Sequence, residues 1–239
     1  MSKSRSGLEN GAMPVQPEAK SLTLILGRPD TGSFRGYLAG QKQGWWDAVG
    51  KDALVDDALT YVELESEATK VRTFKVDLID GLLQTNDYAA AVARANLPSA
   101  SEEIVHRRVD VRARRQERLT GDKRLYVEAV LTEGSLRTQV GGPEVMRRQL
   151  ERLLELVELP NVDIRVVPAS GAYPAMGTPF YLLSFPGGFP DIGYIELLDK
   201  GVYLEEADDV EPYVRKFNCL LDMALAARES AELIAEMID

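Results

Sequence analysis

The chain predicts an α+β fold. It should hold helices at the front, a mostly antiparallel sheet of about five strands, and long helices after the first strand and at the C-terminus. Three observations lead there. Runs with apolar residues three and four apart occupy the stretch from 59 to 119. Short Val-, Ile- and Tyr-rich runs with period-two alternation begin at Arg124. The links between most of the later runs are too short for crossover helices, which points to antiparallel neighbours.

Each element has a local reason. Residues 1–45 are rich in Gly, Pro, Ser and Lys, with one helix-like piece, Pro17–Leu26, ended by Gly27-Arg28-Pro29-Asp30. Thr31–Gly44 reads as linker, and Trp45-Trp46 should pack it onto the body. Leu59–Phe74 reads as one amphipathic helix, because Leu64, Ala68 and Val71 recur with helical spacing. Thr85-Asn86-Asp87 can cap a helix through Ala95, and Ser101 opens another that runs to about Leu119. Arg124–Leu131 is a strand, and Thr132–Val140 a short helix or turn. Pro143 suits the first position of a long helix to Leu159. Val162–Val167, Thr178–Phe185, Ile192–Leu198 and Val202–Glu205 are strands, the last two joined by the hairpin signal Asp199-Lys200-Gly201. Asp208-Asp209 caps one final helix, Val210–Met237.

Composition narrows the function. The net charge is −10, and residues 181–239 carry 4 basic against 13 acidic side chains. Such a surface repels nucleic-acid phosphates and fits solubility or a basic partner. No apolar run approaches the ~18 residues of a membrane span. The single cysteine, Cys219, excludes an internal disulfide and fits a reducing, cytoplasmic setting. One histidine, His106, lies between a valine and two arginines, with no Gly-x-Ser-x-Gly elbow in the chain. A zinc set cannot be assembled from one histidine and one cysteine, and no phosphate-cradling glycine loop exists. No cofactor is expected.

Two constellations remain. The helix from His106 to Leu119 holds six arginines, of which Arg108, Arg112 and Arg115 share one side by i, i+4, i+7 spacing. Val109 and Arg112 share a side with Gln116. This face either binds phosphate or an acidic partner, or pairs internally with the C-terminal helix or with Glu102, Glu103 and Glu117. Separately, Glu128, Glu133, Tyr194 and Glu196 could line a polar concavity at strand ends, or belong to an ordinary strand face. Arg137 and Phe180 are counted with these as candidate ligand- or partner-binding residues. The segment Gly171–Pro179 is either a loop over a pocket or a plain connector.

Several motifs then resemble one family. Tyr61–Ala68, Gly81-Leu82-Leu83-Gln84-Thr85-Asn86-Asp87-Tyr88-Ala89, Arg112 with Arg115-Gln116 and Leu119, and Gly141-Gly142-Pro143-Glu144 follow in order. Leu159-Pro160-Asn161-Val162, Thr178-Pro179-Phe180, Tyr194-Ile195-Glu196 and Glu229-Ser230 complete the series. Together they resemble the domain of unknown function that follows the helix-turn-helix in actinobacterial Xre-type, antitoxin-like transcriptional regulators. Ser4–Gly11 followed by Pro14 resembles the end of that family's recognition helix, with Ser4, Arg5 and Ser6 as a DNA-contacting remnant. Asp80 stands where the family usually has proline, which should loosen a turn. Gly134 stands where alanine is usual, which should shift the surface near Glu133.

The resemblance implies residues 1–30 as a helix-turn-helix remnant, 31–44 as linker and 45–239 as an effector- or partner-binding body. The expected role is regulatory: a homodimeric protein, away from membranes, binding a small molecule or a small partner protein. DNA binding is expected only with a full head. The alternative is a headless relative acting as a metal-free cyclase or isomerase on a secondary metabolite.

Overall fold

The computed structural model describes residues 44–45 and 56–238, apart from 199. The expected Pro17–Leu26 helix, the linker and the Ser4–Arg5–Ser6 remnant lie outside the described residues. Helix α1 (Asp56–Glu67) leads into strand β1 (Lys70–Lys75), followed by α2 (Asn86–Asn96), α3 (Glu102–Gln116), β2 (Tyr126–Thr132) and α4 (Glu133–Arg137). Then come α5 (Pro143–Leu156), β3 (Val162–Val167), β4 (Phe180–Ser184), β5 (Ile192–Glu196), β6 (Gly201–Leu204), α6 (Ala207–Met223) and α7 (Ala227–Glu236). Among the described residues no helix is long and apolar enough to cross a membrane.

The fold is α+β with one mixed sheet of six strands in the order β3-β2-β1-β4-β5-β6. The expected sheet has about five strands and is mostly antiparallel; the observed one has six, with three of its five pairings antiparallel and two parallel. β1 runs parallel to β2, and β2 parallel to β3. β4, β5 and β6 add antiparallel. The physical reason lies in the links. α2 and α3 bridge β1 to β2, and α4 and α5 bridge β2 to β3, so both joins have the length a parallel crossover needs. Only the later joins are short.

The missing strand was hidden inside the expected Leu59–Phe74 helix. That helix ends at Glu67, and Val71-Arg72-Thr73-Phe74 extends as the centre of β1. Val71 keeps helical spacing from Leu64 and Ala68 by coincidence. Its β-branched and aromatic neighbours favour the pleat, and Thr69 secures the switch by donating its N–H and its hydroxyl to the Ser184 carbonyl, at 2.8 and 3.2 Å. β1 is thus the seam between the parallel and antiparallel halves.

Several local expectations match. Thr85 caps α2 through the Tyr88 N–H, Ser101 caps α3 through the Ile104 N–H, and Pro143 opens α5. Gly142, with φ of 91°, occupies a backbone region closed to most residues at the α5 cap. Buried Asn161 donates to the carbonyls of Leu119 and Leu125, at 3.1 and 2.8 Å, tying the end of α3 to β2. The single C-terminal helix does not match: it is two helices, broken at Ala224–Ala226. No breaker stands there. Instead Leu225 donates its N–H to the Val166 carbonyl (2.9 Å) and the Ser230 hydroxyl accepts the Val166 N–H (3.0 Å). The break satisfies the outer edge of β3, an edge that would otherwise leave backbone groups unpaired.

Strand alternation divides the core. Val71, Val127, Ala129, Leu131, Ile164 and Leu183 face one side, under α1, α2, α5 and α7. Phe74, Val130, Phe180 and Leu182 face the other, under α6 through Phe217 and Leu220. The first face carries the candidate site.

Candidate functional site

Register builds the site's floor. Thr73 lies opposite Tyr181, Tyr181 opposite Tyr194, and Tyr194 opposite Tyr203, so β1, β4, β5 and β6 place three tyrosines in one row on the first face. Successive rings are 5.7 and 4.9 Å apart between centroids. Tyr61 of α1 lies on this row, 4.9 Å from Tyr181 and 4.7 Å from Tyr194. Gly201 makes room: a Cβ there would come within 2.5 Å of Tyr194 Cε2.

Charged groups crowd over the row. Arg115 of α3 grips Glu65 of α1 in a two-pronged pair, Nε to Oε1 and Nη2 to Oε2 both at 2.7 Å, and stacks 5.3 Å from the Tyr61 centroid. Glu65 is almost fully buried, as the partner of a fork this well matched can be. Lys75, at the end of β1, sets its Nζ 4.0 Å from the Tyr181 centroid and 3.9 Å from Asp80 Oδ2. Asp80 is fully buried. Its Oδ1 accepts the Leu82 N–H at 2.9 Å and its Oδ2 accepts the Thr73 hydroxyl at 3.3 Å. Asp80 therefore fastens the Gly81–Leu83 turn, a correction to the expectation that it would loosen it. A side-chain acceptor at the cap does locally what a proline ring does by restricting φ. Gly134, the other departure, sits inside α4, and a Cβ there would meet only ordinary contacts.

The field inside this cluster is visible in its proton affinities. Burial, followed by the Glu65 charge, pushes the Tyr61 hydroxyl well above its ordinary value, and burial followed by Asp80 does the same to Tyr181. Burial lowers Lys75, although Asp80 and Glu196 oppose it. Burial, together with Arg115 and Arg108, lowers Arg112 to about 10. Arg115 stands apart: burial lowers it, but the Glu65 charge and hydrogen bonds win and raise it. Arg112 sends one Nη1–H to the Arg108 carbonyl at 3.1 Å. Among the described residues, its Nε–H and that of Arg108 find no acceptor and are sealed from solvent, as is the Tyr61 hydroxyl.

The nine candidate residues are distributed unequally. Arg108, Arg112 and Tyr194 belong to the cluster, and exposed Glu196 lies close enough for its charge to act on Lys75, Arg108, Arg112 and Tyr181. Gln116 is a fastener, donating to the Gly81 and Gln84 carbonyls at 3.0 and 2.8 Å. Phe180 is core on the opposite face, 5.2 Å from Tyr213. Glu128 also faces that side, paired with Lys70 at 2.8 Å. Glu133 begins α4, where the Ala169 N–H and then Arg137 hold its carboxyl below its usual value. The expected concavity of Glu128, Glu133, Tyr194 and Glu196 is not formed. β1 and β4 separate β2 from β5, and Glu128 and Tyr194 point to opposite faces.

Sequence reasoning missed Tyr61, Glu65, Lys75, Asp80 and Tyr181. Tyr61 and Glu65 stand four apart on one helix, a readable signal. Lys75 was hidden with its strand. Among the described residues the arginine face pairs internally with Glu65 through Arg115, while Glu103 pairs with Arg107. Trp45 lies 5.5 Å from the Arg114 guanidinium, in keeping with its expected packing role, while Trp46 lies outside the described residues.

Two surface concavities lie away from the cluster. One of about 560 Å³ separates α4 and α5 from α7, with Arg137 on its lining, and another of about 270 Å³ flanks α2. Among the described residues no three His, Cys, Asp or Glu side chains are gathered as a metal set.

No curated protein gives a significant match to the chain. No solved structure does so either. Residues 58–236, from the third residue of α1 to the end of α7, match the model of a domain of unknown function, DUF5753, and the chain belongs to that family.

Proposed function

We propose that the α+β body is a ligand-binding regulatory module, related to the Xre-type antitoxin-like regulators whose domain its sequence resembles, and that its ligand site is the cationic, tyrosine-backed cluster under α3. One observation carries this reading: Arg108 and Arg112 keep desolvated N–H donors beside that row with no acceptor among the described residues. A buried, underpaired cation costs stability, and such costs persist where a site needs them. The test is a thermal-shift screen of the protein against a library of small metabolites, repeated on Arg112→Gln. The expected result is a stabilising hit that the variant loses. Hits that survive the substitution unchanged would place the ligand elsewhere and defeat the reading. In this reading the module dimerises, and DNA recognition belongs to a complete helix-turn-helix head.

One observation favours catalysis instead. Lys75, with its proton affinity lowered by burial, lies against Tyr181 and 3.9 Å from Asp80 Oδ2. A lysine so placed suits proton transfer. Under that reading the protein converts its bound ligand on incubation, and Lys75→Met stops conversion while binding persists. An unconverted ligand would remove it.

A further inference from the structure

The sheet-facing arginines of α3 and of the turn that ends it are not treated alike. Arg115 is satisfied by Glu65. Arg118 is satisfied by the Glu65 and Ala68 carbonyls, at 2.5 and 2.9 Å, which closes the end of α1. Arg108 and Arg112, one turn apart, are left with Nε–H donors that no described residue accepts. Both side chains are only half-buried, so the cluster reaches the surface along this part of α3.

Charge makes the deficit specific. Among the described residues the interacting set is Lys75, Arg108, Arg112, Arg115 and Arg118 against Glu65, Glu67, Asp80 and Glu196, five cations against four carboxylates. One negative charge is missing. What is missing must also accept hydrogen bonds, because guanidinium donors have no other use. A doubly charged group fits less well, since Glu196 shares the same field and repels it. The tyrosine row beside the arginines, buried and stacked ring on ring, gives the site an apolar, aromatic wall.

From this we infer that the site takes a small organic monocarboxylate with an aromatic body, its carboxylate accepting from Arg108 and Arg112. The inference rests on the ligand-binding reading above and names that site's ligand class. Neither surface concavity competes for the role, as neither is lined by these two arginines.

Calorimetric titration of the full chain tests it with three probes: benzoate, its neutral analogue benzamide, and inorganic phosphate. Benzoate should bind at one site, about tenfold tighter than either of the others, the difference one charge-assisted contact makes. Arg108→Gln should cost benzoate about tenfold, and Arg112→Gln at least as much. Glu196→Gln, an exposed change that leaves the core intact, should tighten benzoate severalfold by removing a repelling charge. Far-UV circular dichroism and thermal unfolding of each variant establish that it is folded. Benzoate no tighter than benzamide, phosphate tighter than benzoate, or a folded Arg108→Gln protein with unchanged affinity would overturn the inference. If benzoate fails while library hits remain dependent on Arg112, the carboxylate assignment falls and the ligand-binding reading stands. If no compound binds in an Arg112-dependent way, both fall.

Discussion

Arg112 and Arg115 sit three residues apart on α3 and meet opposite environments. Arg115 finds Glu65 and becomes part of the scaffold. Arg112 finds two other arginines and is held in a charged form that its surroundings disfavour. The same contrast governs the tyrosines, whose neutral forms the site protects. The folded-state values of Tyr61 and Tyr181 are raised above the unfolded value near 10. Their contribution to stability is therefore complete below pH 10 and is lost as pH rises toward the raised values. Lys75 acts with the opposite sign, because its folded value is lowered and its penalty fades as pH rises to its unfolded value. A spectrophotometric titration should find at least three phenols, those of Tyr61, Tyr88 and Tyr181, that ionise only as the protein unfolds, and Tyr181→Phe should remove one of them. All phenols ionising freely near pH 10 in the folded protein would contradict the buried row.

At the scale of elements, junctions matter more than interiors. The α6–α7 break illustrates this. Nothing in Leu220–Ser230 interrupts a helix by propensity, and the helix would continue if it were alone. It stops because β3 needs an acceptor and a donor at Val166, and Ser230 and Leu225 provide them. Ser230→Ala should then destabilise the fold by about 1–2 kcal/mol, since it leaves a buried N–H without its partner. Amide exchange gives the specific readout: Val166 should lose protection well beyond its neighbours. Unchanged protection there would mean that the break has another cause. β1 shows the same dependence from the other side. Leu64, Ala68 and Val71 suggest one helix, and the strand appears only because a sheet waits on both flanks to pair with it. Local periodicity was outweighed by two ladders of backbone hydrogen bonds.

For the whole molecule, β1 is the keystone. It joins the parallel half, built by long helical crossovers, to the antiparallel half, built by short links. It also delivers Lys75 and Thr73 to the site face and Phe74 to the other core. Phe74 is fully buried among Phe180, Tyr173 and Val130. Phe74→Ala should cost about 3–5 kcal/mol, and urea unfolding should show the loss in one cooperative transition. Two separate transitions would mean that the halves are independent units.

Some of this was determined by the sequence alone. Caps at Thr85, Ser101 and Pro143, strands at 162–167 and 180–184, the α+β class and the arginine face are legible because each rests on residues adjacent in the chain. The tertiary structure alone decided which arginines are satisfied, where the sixth strand lies, and that Glu128 and Tyr194 never meet. Those outcomes depend on partners such as Glu65 with Arg115, fifty residues apart, and on which face of a sheet each side chain occupies. Strand order and facing come from pairing over long separations, and that pairing has no local signature.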